Sequence, residues 1–357
     1  DGVGDYQYIS QWNPGTPALY SYGGITPLKN LYAMNPLFQW QEAKKLSATL
    51  ELGFFKDQQL NLNITYYRDR MDNQLVQFPI PWITGFDKVT ANSPALVQNA
   101  GWEVQLNARL LNTSTINWSG SFNVSLNRNK LVAYPNFESS PYRALYQIGR
   151  PLTIMPLLHY TGVDPLTGDM SYQDRNHDGA INVDRALPPG SMFDDRYWLD
   201  LTPEYYGGFS SDLRYKSWSL NVLFTYNKAM VRNPVWSFLT LGRLNNMPVS
   251  VYEQVWKKPG DIAAYPRLMT MSSPSGALFS ESDGQYVKAF YVSCQNLSLQ
   301  YTLNEQLVKK LRMKACRVSI QTQELFSIAL SGQYRPGAPM FGLPIPKTIT
   351  ANLNVNF

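Results

Sequence analysis

The run Asp174-Arg175-Asn176-His177-Asp178-Gly179-Ala180-Ile181-Asn182-Val183-Asp184 has the most chemically specific spacing in the sequence. Oxygen-bearing side chains stand at its first, third and fifth positions and Gly at its sixth. The carbonyl of Ala180 falls at the seventh, as in a calcium-binding loop. Calcium is a hard cation, and Asp174, Asn176, Asp178, Ala180 and Asn182 offer it only oxygen. A bidentate Glu would be expected at the twelfth position, where Arg185 stands. Asp184, one place early, is therefore expected to close the site. The reading predicts structural Ca2+ pinning a long loop; the competing reading is an Asx-rich turn with no metal.

Other chemistry is thinly supplied. There are two His and two Cys in 357 residues. His177 lies inside the calcium-type loop and reads as solvated. His159 sits near a strand end, where a polar structural role outweighs catalysis. Asp194, Asp195 and Glu204 could furnish the carboxylate pair of a glycosidase, but no spacing marks them out, so no enzyme activity is expected. Tyr197, Trp198, Trp236, Asn245, Asn246 and Tyr334 lie between predicted strands, and Tyr205 at the start of one. Aromatic rings with nearby amides suit the stacking and hydrogen bonding of sugars, and suit loop packing as well.

The elements that must position these residues are strands. Hydrophobic residues make up 44% of the chain, aromatics 13% and charged residues only 16%, against roughly 25% charged in an average soluble protein. That balance excludes disorder, which needs high charge and few aromatics. No run of about 20 apolar residues is present, as a membrane-spanning helix requires. The net charge of +5 comes from scattered Lys and Arg, so no nucleic-acid partner is expected.

Period-2 alternation dominates. Leu60, Leu62, Ile64 and Tyr66 alternate with Asn61, Asn63 and Thr65; Trp218, Leu220, Val222, Phe224 and Tyr226 repeat the pattern, as do Ile349, Ala351, Leu353, Val355 and Phe357. The polar faces are Asn, Ser, Gln and Thr rather than Lys and Glu. A transmembrane barrel turns an apolar face to lipid and a polar face to a wet lumen in strands of about ten residues. Strands are predicted at 42–54, 57–70, 97–111, 116–128, 143–149, 152–160, 205–216, 218–228, 286–303, 315–328 and 348–357. Their connections alternate short and long, as periplasmic turns and external loops do. The fold class is thus all-β, an antiparallel transmembrane β-barrel. Eleven is odd, and antiparallel closure needs an even number, so the chain is expected to supply part of a barrel. By strand parity, Cys316 should face lipid and Cys294 the lumen, which excludes a disulfide between them. A secreted or surface all-β glycan-binding protein is the alternative reading.

Several segments resemble the SusC/RagA type of TonB-dependent outer-membrane transporter. Asn35-Pro36-Leu37-Phe38-Gln39-Trp40-Gln41-Glu42 is similar to the family's "NP-x-L-x-W-E", and Asn99-Ala100-Gly101-Trp102-Glu103 to "N-x-G-x-E". Trp256 with Pro259-Gly260 and Pro266-Arg267 resembles "W-x-x-PG…PR", and Gly168-Asp169 leads to the Asp174–Gly179 motif. Asn296–Leu303 and Arg317–Phe326 are similar to two late barrel strands, with Gln300 and Glu324 departing from the family's Gly and Asn. The resemblance implies a plugged barrel of about 22 strands, of which eleven would be half. Residues 1–41 would be an extracellular loop region and 42–357 the C-terminal barrel half. The plug, the TonB-contacting segment and the other half would lie elsewhere, in the same or another chain. The resemblance further implies import of glycan fragments or peptides, a SusD-like surface lipoprotein partner, and energy from the TonB complex. The C-terminus would be periplasmic and the long loops extracellular.

Overall fold

The computed structural model describes residues 9–14, 23–25, 28–31, 34–233, 247, 249–271, 273–331 and 346–357. Its main feature is a nine-stranded antiparallel sheet. We label its strands β1 (Glu42–Phe54), β2 (Leu60–Asp72), β3 (Leu96–Asn112), β4 (Ile116–Ala133), β5 (Tyr205–Tyr215), β6 (Trp218–Arg232), β7 (Tyr286–Thr302), β8 (Ala315–Ser331) and β9 (Thr348–Asn356). Each pairs with its sequence neighbours, giving an up-and-down meander with β1 and β9 as its edges. The connections 55–59, 113–115, 216–217 and 303–314 are short, whereas 73–95, 134–204, 233–285 and 332–347 are long. In a meander, alternate connections fall at opposite ends, so all the short ones share one end and all the long ones the other.

The expected count of eleven strands is corrected to nine. Residues 143–149 form turns, and Ile154–Leu157 pairs with Tyr197–Asp200 in a separate two-stranded sheet. Pro156 has no N–H to give a central strand. Ile154, Leu157 and Leu158 are buried, so their apolar spacing reflects a loop core. Nine is still odd, and the single long connection 134–204 that replaces the predicted pair keeps the alternation of short and long connections.

The pairing registers put each apolar stripe on one continuous face. Leu52, Leu62, Leu106, Phe122, Phe209 and Phe224 fall in one cross-strand row, and much of this face is exposed, Phe122 and Phe209 included. Along β6 the apolar stretch from Trp218 to Tyr226 advances about 27 Å at ~3.4 Å per residue. Tilted by about 40°, it stands about 21 Å tall, a little short of the roughly 25 Å apolar band of an outer-membrane barrel. Aromatics mark its limits. Trp218 lies 4.7 Å from Tyr301 at the short-connection end. Tyr66 and Trp102, 5.0 Å apart, and Tyr205 against Tyr226 and Phe290 mark the other end. One polar pair on this face is satisfied internally: the indole N–H of Trp118 donates to Ser211 Oγ at 3.0 Å.

Cys294 departs from the expected face. Gln295 is left out of the pairing between β6 and β7, where Leu223 opposes Asn296 and Phe224 opposes Cys294. This bulge reverses the parity and moves Cys294 to the apolar face. There the rings of Phe224 and Phe326, 6.2 Å apart, flank it and leave it 1% exposed. Both cysteines are free. They share a face, yet ten residues of β8 separate Cys316 from Phe326, the partner of Cys294.

The best-buried cluster lies outside the sheet. Leu158, Met170, Tyr172, Val251 and Phe279 pack together, joined by Tyr160, Ile181, Val183 and Tyr265. These residues come from the connections 134–204 and 233–285, which therefore fold as one loop assembly.

Candidate functional site: the polar face and the loop assembly

Two surfaces can meet a solute. The first is the polar face of the sheet. Near its short-connection end, a cavity of about 430 Å³ is lined by Arg109, Asn117, Ser119, Asp212, Arg214, Asn221 and Gln300. Asn221 donates to Asp212 Oδ1. Elsewhere on this face the side-chain oxygens of Asn127, Asn227 and Asn296 are buried with no hydrogen-bond partner among the described residues. The face thus combines both charge signs with amide groups, as a water-filled lumen requires.

The second surface is the loop assembly, held together by polar ties that join its two connections. Asp283 is the hub. Its Oδ2 accepts from the Tyr197 hydroxyl and contacts His159 Nδ1, each at 2.7 Å, and its Oδ1 accepts from Tyr160 N at 2.7 Å. The His159 ring stands edge-on to Tyr197 at 6.0 Å. Desolvation pushes the Tyr160 hydroxyl up to about 12 and raises those of Tyr172 and Tyr197 further, the last helped by its bond to Asp283. A second tie joins the resembling motifs. Gly168 lies under the indole of Trp256, whose Nε1 donates to Pro165 O at 2.9 Å, and Arg267 pairs with Asp169 at 3.2 Å. A third is the Arg185–Glu281 ion pair.

The calcium-type loop is a network of Asx turns. Asp174 Oδ1 accepts from His177 N at 2.7 Å and its Oδ2 from Gly179 N at 2.9 Å. Asn176 and Asn182 both donate to Asp178 Oδ2, at 3.0 and 3.1 Å. Ala180 N donates to Asp178 Oδ1 at 2.8 Å. Asp174, Asn176, Asp178 and Asn182 are therefore brought together. Asp184 instead accepts from Ala186 N. Among the described residues no three His, Cys, Asp or Glu side chains are grouped to hold a metal, so a cation here would rest on amide and carbonyl oxygens too. His177 is exposed, with φ 59°.

Sequence reasoning missed the anchor of this loop. Asp195, 0% exposed, accepts from the backbone N–H groups of Arg175, Asn176 and Asn182. Its neighbour Asp194 is equally buried and takes a two-pronged pair from Arg196 at 2.9 Å. Glu204 lies between Lys228 and Lys288, whose hydrogen bonds hold its carboxyl below the usual range. The three carboxylates considered for hydrolysis all have structural partners. Tyr205 stands in the aromatic row of the sheet. Trp198 is half-buried opposite Pro156. Trp236, Asn245, Asn246 and Tyr334 lie outside the described residues.

An antiparallel meander with one apolar and one polar face, and with short and long connections segregated to opposite ends, is the wall of a transmembrane β-barrel. Its likeness is to the SusC/RagA type of TonB-dependent receptor, in sequence and in fold. TonB-dependent receptor P39 of Formosa agariphila is 24% identical over 87% of this chain and 33% of its own length. TonB-dependent receptor P3 of the same organism is 25% identical over 88% of this chain. SusC of Bacteroides thetaiotaomicron is 26% identical over 31% of this chain. The chain spans about a third of the length of the two receptors it matches most fully. No family model matches the sequence. A solved structure of the RagAB peptide transporter superposes with a TM-score of 0.76, covering 99% of this chain and 39% of that one, at 20% identity.

Proposed function

We propose that this chain forms part of the wall and external loops of a TonB-dependent outer-membrane importer. It would take up oligomeric nutrients, glycan fragments or peptides, with a SusD-like surface lipoprotein as partner. The reading rests above all on one observation. Every long connection leaves the same end of a sheet whose apolar face approaches the height of an outer-membrane barrel's apolar band. In this reading the C-terminus and short turns are periplasmic and residues 1–41 and the loop assembly are extracellular. The open edges β1 and β9 pair with the rest of the barrel, because unpaired edges are not tolerated in lipid. The plug and its TonB contact belong to that remainder. The work is binding and passage, without covalent chemistry. Tyr197, Trp198, Trp236, Asn245, Asn246 and Tyr334 are the candidates for cargo contact.

The expected result is that the full-length protein fractionates with outer membranes, needs detergent to stay monodisperse, and co-purifies with a surface lipoprotein. A monodisperse protein in buffer without detergent would overturn the barrel reading.

The Asp174–Asp184 loop is proposed to take a structural calcium ion through Asp174, Asn176, Asp178, Asn182 and the Ala180 carbonyl. To add its carboxylate, Asp184 would have to leave its turn with Ala186. At a hundredfold excess over Kd, calcium should stabilise the loop assembly by about 2.7 kcal/mol. Hydrogen exchange in 170–196 should slow accordingly in calcium relative to a chelator, and Asp178→Ala should abolish the difference. Equal exchange in both conditions would exclude the ion.

A further inference from the structure

On the apolar face, the aromatic row at the long-connection end is followed by cations. Ala48, Tyr66, Trp102 and Leu126 form one cross-strand row. One step outward on the same face comes the row Leu46, Arg68, Ala100 and Arg128, and the next is Lys44, Arg70, Gln98 and Lys130. Five cations thus lie on three of four neighbouring strands, β3 contributing Ala100 and Gln98 between them. Arg68 and Arg128 flank the small side chain of Ala100, so their backbones stand two strand spacings, about 10 Å, apart, and Arg68 and Arg70 are about 7 Å apart along β2. Lys44 has an acidic neighbour, Glu42, at 3.7 Å. Among the described residues, no ion pair joins Arg68, Arg70, Arg128 or Lys130 to a carboxylate. Arg70 Nε instead donates to Gln98 Oε1 at 2.9 Å, and Arg128 holds the carbonyls of Asn127, Pro203 and Glu204. At the short-connection end, by contrast, Lys216 sits in a turn, Lys309 in the short helix Glu305–Lys310, and Arg109 and Arg214 on the polar face.

We propose that this patch is a binding site for phosphate-bearing lipid headgroups of the outer leaflet, gripping them where the apolar band ends. The inference rests on the barrel reading, which turns this face to lipid. Its basis is charge complementarity continuous with the lipid-facing band. Acyl chains would lie on the Leu and Val rows below Trp102, and the phosphate would meet the guanidinium groups just above the aromatic row, within reach of charge-assisted hydrogen bonds. Each basic side chain near a charged membrane surface contributes about 1 kcal/mol. Aligned as here, Arg68, Arg70 and Lys130 should make the site selective for anionic over neutral lipid.

The test uses the full-length protein in detergent, titrated with phosphatidic acid or phosphatidylcholine and read by native mass spectrometry. Phosphatidic acid should remain bound preferentially. The triple variant Arg68→Gln, Arg70→Gln, Lys130→Gln should lose affinity for it by roughly a hundredfold, and the charge-keeping variant Arg68→Lys, Arg70→Lys should retain most of it. Arg109→Gln with Arg214→Gln, on the polar face, should leave it unchanged. Inorganic phosphate at millimolar concentration should not displace the lipid. Wild-type binding by the triple variant, an equal loss in the polar-face variant, or full displacement by inorganic phosphate would each overturn the proposal. Failure of the underlying reading looks different: the protein would need no detergent and retain neither lipid.

Discussion

Replacing Arg196 by Met should melt the loop assembly while leaving the nine-stranded sheet intact. The Asp194 carboxylate is 0% exposed and Arg196 only 3%. The guanidinium meets that carboxylate through Nε and Nη2, each at 2.9 Å, and reaches the carbonyls of Asp184 and Leu187. It therefore both neutralises a buried anion and closes the turn that follows the calcium-type loop. Removing one partner of a buried pair costs about 3–5 kcal/mol, because the other charge stays behind unpaired. Local opening of 154–200 should become roughly 10²–10⁴ times more populated, which hydrogen exchange reads directly. Amides of β5 and β6 should keep their protection. The double variant Asp194→Asn, Arg196→Met removes both charges and should regain part of the loss. Unchanged exchange in the single variant would show that the pair does not hold the loops.

The wall was legible in the sequence because nothing obscured its alternation. Each strand repeats one apolar and one polar face for ten or more residues, and the lipid and the lumen demand opposite chemistry throughout. The same rule misled at 143–160. Ile154, Leu157 and Leu158 follow an apolar spacing, but they are buried outside the sheet, Leu158 against Met170 and Phe279 in the loop core; periodicity reports a buried face without saying what buries it. Cys294 was misplaced for a related reason. The bulge at Gln295 and the positive φ of Glu324, 51°, carry no glycine to announce them, and a single unpaired residue reverses every later assignment on the strand.

The candidate site was legible only in part. Local spacing exposed the Asp174–Asp184 loop, because Asx turns are built from residues close in sequence. Its anchor Asp195 lies beyond the loop, and in sequence Asp194 and Asp195 are carboxylates that no spacing marks out; only their burial shows the role. Asp283 gathers His159, Tyr160 and Tyr197 from more than eighty residues away. Only the folded chain reveals such a hub. The motif residues Gly168, Asp169, Trp256 and Arg267 stood out individually by resemblance, and the fold shows that they are halves of one contact.

That contact supplies the second large effect. Gly168 has φ 72°, and a Cβ there would lie 2.5 Å from the Trp256 ring. An alanine would therefore bear two costs, about 1–3 kcal/mol for the left-handed backbone and a further ~1–3 kcal/mol for overpacking against an indole pinned by its bond to Pro165. Gly168→Ala should thus destabilise the loop assembly by roughly 2–6 kcal/mol, detaching 160–172 from 254–267. Limited proteolysis should then cut both segments, while the detergent-solubilised sheet stays resistant. Trp256→Ala relieves the clash but forfeits the indole packing and its hydrogen bond, so Gly168→Ala added to it should cost less than in the wild type. The remainder measures the backbone term alone. If the two losses simply add, the glycine is kept for its backbone conformation and the indole contact is incidental; if Gly168→Ala leaves both segments protected, the two connections are not clasped through this pair.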